Sequence, residues 1–184
     1  MSGANNIFGQ AYSLTVLTPI IDGHETELAR YLDGLPSGDD SPLAGVNGTH
    51  FARWVVIDDV IYQGPDQGPR EHLQHPRLLF TSNFDGGTLD PYLEALRTGL
   101  GDGADVIWGH CLGYPGRDDA AAFSRYLRHH QIDSSLFFAA YGDRTVEDVK
   151  RSLAVRARLI DFALRAQGLA ATELKAAFVR EFGA

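Results

Sequence analysis

Two polar residues three positions apart, His50 and Arg53, lie within residues 49–58, a stretch rich in β-branched and aromatic side chains. Such a stretch between two Gly/Pro-rich loops is typical of a strand, and we expect it in the middle of a sheet. Because strand side chains alternate between faces, His50 should share a face with Trp54, and Arg53 should point to the other face. Burying such polar groups is costly without partners, so this strand predicts a site.

The chemistry available to these two residues is general-base, metal-ligand and anion-binding chemistry. Imidazole ionises near neutral pH and binds metals when neutral, so His50 could be a general base or an axial haem ligand. The alternative is a strand-end histidine bonded to a loop carbonyl. Arg53 could hold a carboxylate, a haem propionate or a substrate oxyanion. Its alternative is a structural ion pair with Asp58 or Asp85.

Further candidates fall on neighbouring predicted strands. Asn83 and Asp85 end residues 77–85, where polar and apolar side chains alternate as they do in a cavity wall. His110 adjoins Cys111 on a predicted strand, so their side chains point to opposite faces and cannot readily bind one metal together. His110 is therefore a second candidate iron ligand, whereas a lone buried cysteine is more often a small apolar residue than a nucleophile.

Aromatic and loop residues complete the candidate set. Trp54 and Tyr114 would supply aromatic contacts to a cofactor. His72 and His75 have a spacing seen in metal sites, but no cysteine or acid follows at a diagnostic distance, so a polar loop explains them more simply. The sequence contains no phosphate loop, nucleophile elbow or dinucleotide fingerprint.

Hydrophobic periodicity and turn residues predict the elements that would position these side chains. Residues 1–11 are expected to be a loose arm. Predicted strands cover residues 12–19, 49–58, 77–85, 105–111 and 136–141. Predicted helices cover residues 22–35, 91–100, 118–130, 145–167 and 172–182.

The resulting order is β-α-β-β-α-β followed by α-β-α-α, which predicts an α+β fold. Its first part, residues 12–111, is a ferredoxin-like module: an antiparallel sheet with both helices on one face. Residues 112–184 form a C-terminal extension of the same single domain, 1–184. The other sheet face is expected to be too apolar for water, so the extension or a second subunit should cover it.

Composition narrows the function classes. The chain has 184 residues, 44% of them hydrophobic and 22% charged, and a formal net charge of −8. This acidic balance argues against sequence-independent nucleic-acid binding. One cysteine excludes an internal disulfide, and no apolar stretch is long enough to span a bilayer. We therefore expect a cytoplasmic protein whose partner is a small molecule, with no nucleic acid and no membrane.

The element order of residues 12–111 resembles the dimeric α+β barrel superfamily, in which two ferredoxin-like sheets pack face to face around a cavity. This resemblance implies a homodimer. The superfamily includes haem-degrading monooxygenases, chlorite-dismutase-like and dye-decolorising peroxidases, cofactor-free monooxygenases, polyketide cyclases and lactone isomerases. It therefore implies a small-molecule enzyme with its active site inside the barrel.

Local motifs add two narrower resemblances. The stretches HFARWVVIDD, LLFTSNFDGG and WGHCLGYPG resemble a bacterial family of hypothetical proteins. Residues 83–88 are similar to the Gly-x-x-Asp-Gly signature of dye-decolorising peroxidases, although the leading glycine is absent. In those peroxidases the aspartate faces the distal side of haem, and Asp85 is the matching residue here.

Three functional hypotheses follow. The first is haem-dependent oxidative chemistry on an apolar or aromatic substrate, with His50 or His110 as iron ligand and Arg53, Asn83 and Asp85 as polar cavity groups. The second is a cofactor-free cyclase, isomerase or monooxygenase, with His50 as base and Arg53 or Asn83 stabilising an enolate or oxyanion. The third is a non-catalytic ligand-binding protein.

Overall fold

A computed structural model describes residues 4–61, 64–65, 68–69 and 71–183 of the chain. The described residues form an α+β fold with a four-stranded antiparallel sheet, as expected. They divide into two compact units, Met1–Thr145 and Val146–Ala184. The assignment of the whole chain to one domain, with a boundary after residue 111, stays a prediction.

The helices and strands follow the predicted order over most of the chain. The strands are β1 (Ile7–Phe8), β2 (Ala11–Pro19), β3 (Thr49–Ile57) and β4 (Arg77–Asp85). The helices of the first unit are α1 (Glu25–Asp33), α2 (Leu89–Leu100), α3 (Asp102–Trp108) and α4 (Ala120–His129). Those of the second unit are α5 (Val146–Arg165) and α6 (Ala171–Phe182). Short 3-10 turns occupy Ala4–Asn6, Gly38–Asp40 and Pro42–Gly45.

The sheet has the order β1-β2-β4-β3, so β4 is central and β3 lies at an edge. The prediction that residues 49–58 form a middle strand is therefore wrong. Composition indicates a strand but not its neighbours, because pairing partners are set by contacts distant in sequence. β4 pairs with β2 along its whole length, from Ala11 opposite Asp85 to Pro19 opposite Arg77.

One face of the sheet carries the core. Side chains of β4, and of β2 from Tyr12 onward, alternate between buried and half-buried positions, and the core formed by the buried ones includes residues of helices α1 to α4. The largest fully buried members of this core are Leu14, Ile20, Leu28, Leu78, Phe80, Phe84, Leu93, Leu96, Ile107, Trp108, Phe123 and Leu127. The opposite face, which presents the half-buried positions of β2 and β4, is called the open face below.

The predicted strand at 105–111 is wrong, because α3 occupies Asp102–Trp108. The short β-branched run suggested a strand, but the buried residues Ala104, Ile107 and Trp108 have helical spacing. Cys111 still reaches the end of β2, where it forms an isolated bridge with Ile20, the residue that follows this strand. The fourth strand of the predicted module is thus reduced to one bridge in the described residues.

Three separate segments share the outer edge of β2. Strand β1 pairs with its start, an isolated bridge joins Val16 to Gln131, and the Cys111 bridge follows its end. This edge is therefore already used. The predicted strand at residues 136–141 is wrong, because residues 136–139 have no regular secondary structure and residues 140–141 belong to a turn. The prediction of a loose N-terminal arm is also wrong, because residues 4–8 form a 3-10 turn and β1.

The second unit is a pair of helices held by aromatic packing. Phe162 of α5 is buried and its ring lies 5.7 Å from Phe178 and 5.5 Å from Phe182 of α6. The guanidinium of Arg158 lies over the Phe182 ring, 5.2 Å from its centroid. Among the described residues, no helix combines the length and the apolarity that a bilayer crossing requires.

Candidate functional site

His50 occupies a β-bulge at the start of β3. Thr49 pairs with Phe84 and Phe51 pairs with Asn83, so β4 offers His50 no directly opposed residue. A bulge inserts one residue into a strand and redirects its side chains. The predicted alternation, which placed His50 on the face of Trp54, fails at this position because it assumes an uninterrupted strand.

The bulge brings His50 to Asp85 at the end of β4. The Nε2 atom of His50 lies 2.6 Å from the Asp85 Oδ1 atom, and the side chains are 18% and 17% exposed. Asp85 follows the buried Phe84 and therefore belongs to the open face. A carboxylate accepts the proton of Nε2, which fixes the neutral imidazole in one tautomer and leaves Nδ1 as its basic nitrogen.

A groove crosses the open face next to this pair, with a volume of about 540 Å³. Its floor consists of two rows of side chains that run across β2, β4 and β3. The rows are Ser13–Asn83–Phe51 and Thr15–Thr81–Arg53. The first row lies two residues along β4 from Asp85, which corresponds to roughly 7 Å between rows.

The polarity of the open face changes along the strands. Beyond the two polar rows comes an apolar row of Leu17, Leu79 and Val55. The expectation that this face is too apolar for water fits the row of Leu17, Leu79 and Val55 but not the half nearest His50, which hydroxyl, amide and guanidinium groups line. A ligand in this groove would meet polar groups beside the histidine and apolar side chains farther along the sheet.

Arg53 presents the positive charge of the groove. It lies opposite Thr81 and is exposed. Within the described part of the chain Arg53 forms no ion pair, so the predicted structural pairing with Asp58 or Asp85 is not present there. An exposed guanidinium beside a groove can bind a carboxylate or a developing oxyanion through two parallel hydrogen bonds.

Three predicted cofactor contacts lie outside this groove. Trp54 points into the core and packs on Phe80, with ring centroids 5.3 Å apart. The Tyr114 hydroxyl donates a hydrogen bond to Asp105 at 2.9 Å, on the helical side of the sheet. The backbone carbonyl of His110 accepts a hydrogen bond from the Ile21 N–H, just beyond the end of β2. That end of β2 lies opposite the start of β4, whereas Asp85 is at the other end of β4, roughly 26 Å away along the strand.

A hydroxyl chain supports the bulge from the core side. The Tyr92 hydroxyl of α2 contacts Thr49 at 3.1 Å and also hydrogen-bonds with the buried Ser82. Burial is the main cause that raises the pKa of Tyr92 above its ordinary value, so it stays a neutral phenol. The strand analysis missed this group because Tyr92 is on a helix, ten residues beyond Ser82.

Hydroxyls on β2 are a second omission. Ser13 and Thr15 line the groove, yet in the sequence they read as the polar background of a strand. Their alternation with the buried Leu14 and Val16 was the available signal, because it assigns both to the non-core face.

The residues of the groove do not fit a haem. An iron porphyrin needs apolar walls, whereas the floor of this groove is largely hydroxyl, amide and guanidinium. His110 lies outside the groove, where its Nδ1 atom is 3.1 Å from the Nδ1 atom of His24. Haem binding stays a prediction, and no chemical step below depends on it.

The chain matches no protein-family model, no curated protein and no solved structure.

Proposed function

We propose that the protein is a small-molecule enzyme that works by general acid–base catalysis without a cofactor, with His50 as the base. The observation that carries the proposal is the 2.6 Å contact between His50 and Asp85 beside a polar groove. An imidazole oriented by a carboxylate is a recurring arrangement for moving protons at neutral pH. The substrate class is an aromatic or apolar compound with an enolisable carbonyl and an anionic group.

The proposed step is removal of a proton from the carbon next to the carbonyl. The Nδ1 atom of His50 takes this proton, and the electron pair of the C–H bond moves onto the carbonyl oxygen as an enolate. Asp85 stabilises the imidazolium that forms, and Arg53 or Asn83 donates hydrogen bonds to the enolate oxygen. Transfer of a proton to the enolate oxygen gives the enol tautomer, and return of a solvent-derived proton to the carbon gives exchange, so the step needs no oxidant or reductant.

The proposal includes the ferredoxin-like, dimeric barrel arrangement. The order of β2, β4 and β3 in the sheet agrees with that topology, and a second copy packed on the open face would enclose the groove. Phe51, 76% exposed, and Val55, 40% exposed, would lose water in such a pair. We expect light scattering to give twice the chain mass of 20.1 kDa, whereas a monomer at all concentrations would contradict this part.

The experiment for the catalytic proposal is proton exchange in D₂O, followed by ¹H NMR, with a panel of aromatic oxo acids such as phenylpyruvate and benzoylacetate. The wild-type chain should accelerate exchange saturably at the carbon next to the carbonyl. Arg53→Ala should lower kcat/KM about tenfold or more, since a charged hydrogen bond to the substrate or to the enolate oxygen contributes roughly 1.5–3 kcal/mol. Arg30→Ala, which removes an exposed arginine on α1, is the matched control. Exchange at the buffer rate across the panel would contradict the proposal.

A further inference from the structure

Two histidines converge at the end of the sheet opposite the His50 groove. The Nδ1 atom of His24 lies 3.1 Å from the Nδ1 atom of His110. The rings meet edge to face, with centroids 5.3 Å apart. His24 immediately precedes α1 and His110 follows α3, so the contact joins two helices that are far apart in sequence. The proposed acid–base chemistry uses neither residue.

The backbones of both histidines are held by one residue, Ile21. The Ile21 N–H donates to the His110 carbonyl at 2.9 Å, and the His24 N–H donates to the Ile21 carbonyl at 3.0 Å. The His24 carbonyl then accepts from Leu28 in the first turn of α1 at 3.0 Å. The two imidazoles are therefore brought together by a fixed backbone, which is the condition for a preorganised site.

The nitrogen separation is close to that of two ligands on one metal ion. At a tetrahedral centre with Zn–N distances of about 2.0–2.1 Å, two nitrogen ligands lie roughly 3.3–3.4 Å apart. The observed 3.1 Å is shorter by only a few tenths of an ångström, which a small ring rotation supplies. Without a metal, one imidazole must donate its Nδ1 proton to the other, and a metal ion would replace that shared proton.

The neighbouring groups define the metal class. Imidazole ligands suit Zn²⁺, Ni²⁺ and Cu²⁺, whereas Mg²⁺ and Ca²⁺ need oxygen ligands. Cys111 adjoins His110, but it is buried and its sulfur accepts a hydrogen bond from the Thr18 hydroxyl, with 3.2 Å between Oγ1 and Sγ, so we do not assign it as a ligand. The described residues hold no set of three or more metal-ligating side chains, so water would complete the coordination.

We infer that His24 and His110 form a two-imidazole site for a divalent transition metal, with Zn²⁺ as the reference ion. The bound ion bridges the start of α1 and the segment after α3. Because the ion binds the folded chain, it also raises the stability of the first unit.

Calorimetric titration of the untagged full chain with ZnCl₂ at pH 7.5 tests this site. The wild type should bind one equivalent, and His24→Ala and His110→Ala should each weaken binding at least tenfold. His129→Ala, which removes an imidazole at the end of α4, should bind as the wild type does. Wild-type affinity in both single variants, or no saturable binding in the wild type, would overturn the inference.

Thermal unfolding supplies a second readout that does not depend on titration heats. ZnCl₂ should raise the unfolding midpoint of the wild type, and MgCl₂ at the same concentration should not. If an alanine variant fails to fold, His24→Gln and His110→Gln retain polar side chains and should show no rise with ZnCl₂. An equal rise in the glutamine variants would contradict the site.

Discussion

His50→Ala should lower the catalysed rate of carbon–proton exchange by about 10²- to 10⁴-fold, the range expected for loss of a positioned general base. The imidazole is the group proposed to take the proton, and Asp85 orients it through the 2.6 Å contact. The loss should appear in kcat, because Arg53 and the groove that hold the substrate stay in place. Saturation kinetics in D₂O with the most active compound of the panel measure the effect.

Two variants separate catalysis from folding at this position. Asp85→Asn keeps the size of the side chain, and it should lower kcat less than His50→Ala because it leaves the base present but less well oriented. His129→Ala removes a histidine outside the groove and should keep the wild-type rate. The circular dichroism spectrum of each variant must match that of the wild type, because the His50–Asp85 contact also joins the bulge of β3 to the end of β4. A folded His50→Ala variant with the wild-type rate would rule His50 out as the base.

Trp108→Ala should lower the free energy of unfolding by about 3–5 kcal/mol, the cost typical of deleting a large buried aromatic side chain. Trp108 is fully buried in α3. Its ring meets those of Phe80 and Phe123 edge to face, at centroid distances of 5.6 and 5.9 Å. The side chain therefore joins the sheet, α3 and α4, and its removal leaves a cavity where these elements meet.

Urea unfolding followed by circular dichroism measures this cost. Val106→Ala is the matched control because Val106 lies on the same helix and is 42% exposed, so its truncation should cost less than about 1 kcal/mol. Equal costs in the two variants would mean that α3 does not pack into the core as described.

The parts of the fold that the sequence predicts well are those with strong local signals. Strand β4 shows strict alternation of buried and half-buried residues and was predicted at its observed bounds, and β2, predicted for residues 12–19, begins one residue earlier, at Ala11. The helix after Asp119 has a local start signal, since the Asp119 carboxylate accepts hydrogen bonds from Ala121 and Ala122. Such signals lie within a few residues of the element they define.

The errors arise where the deciding contacts are distant or the segment is short. Helix α3 is only seven residues long, and its β-branched side chains also suit a strand. The burial of Ala104, Ile107 and Trp108, which have helical spacing, favours the helix. The position of β3 at an edge depends on pairing, which composition does not encode. The contact of His50 with Asp85 spans 35 residues and requires a bulge. The sequence therefore identified both residues as candidates but not their contact.

The tautomer of His50 is the most direct test of the central claim that an oriented base lies beside the groove. Long-range ¹H–¹⁵N spectra of the imidazoles distinguish a nitrogen that carries a proton from one that does not. For neutral His50 we predict a proton on Nε2 and a bare Nδ1, and a shift of the Nδ1 resonance when phenylpyruvate saturates the groove. A proton on Nδ1, or an Nδ1 resonance that does not move at saturation, would contradict the account.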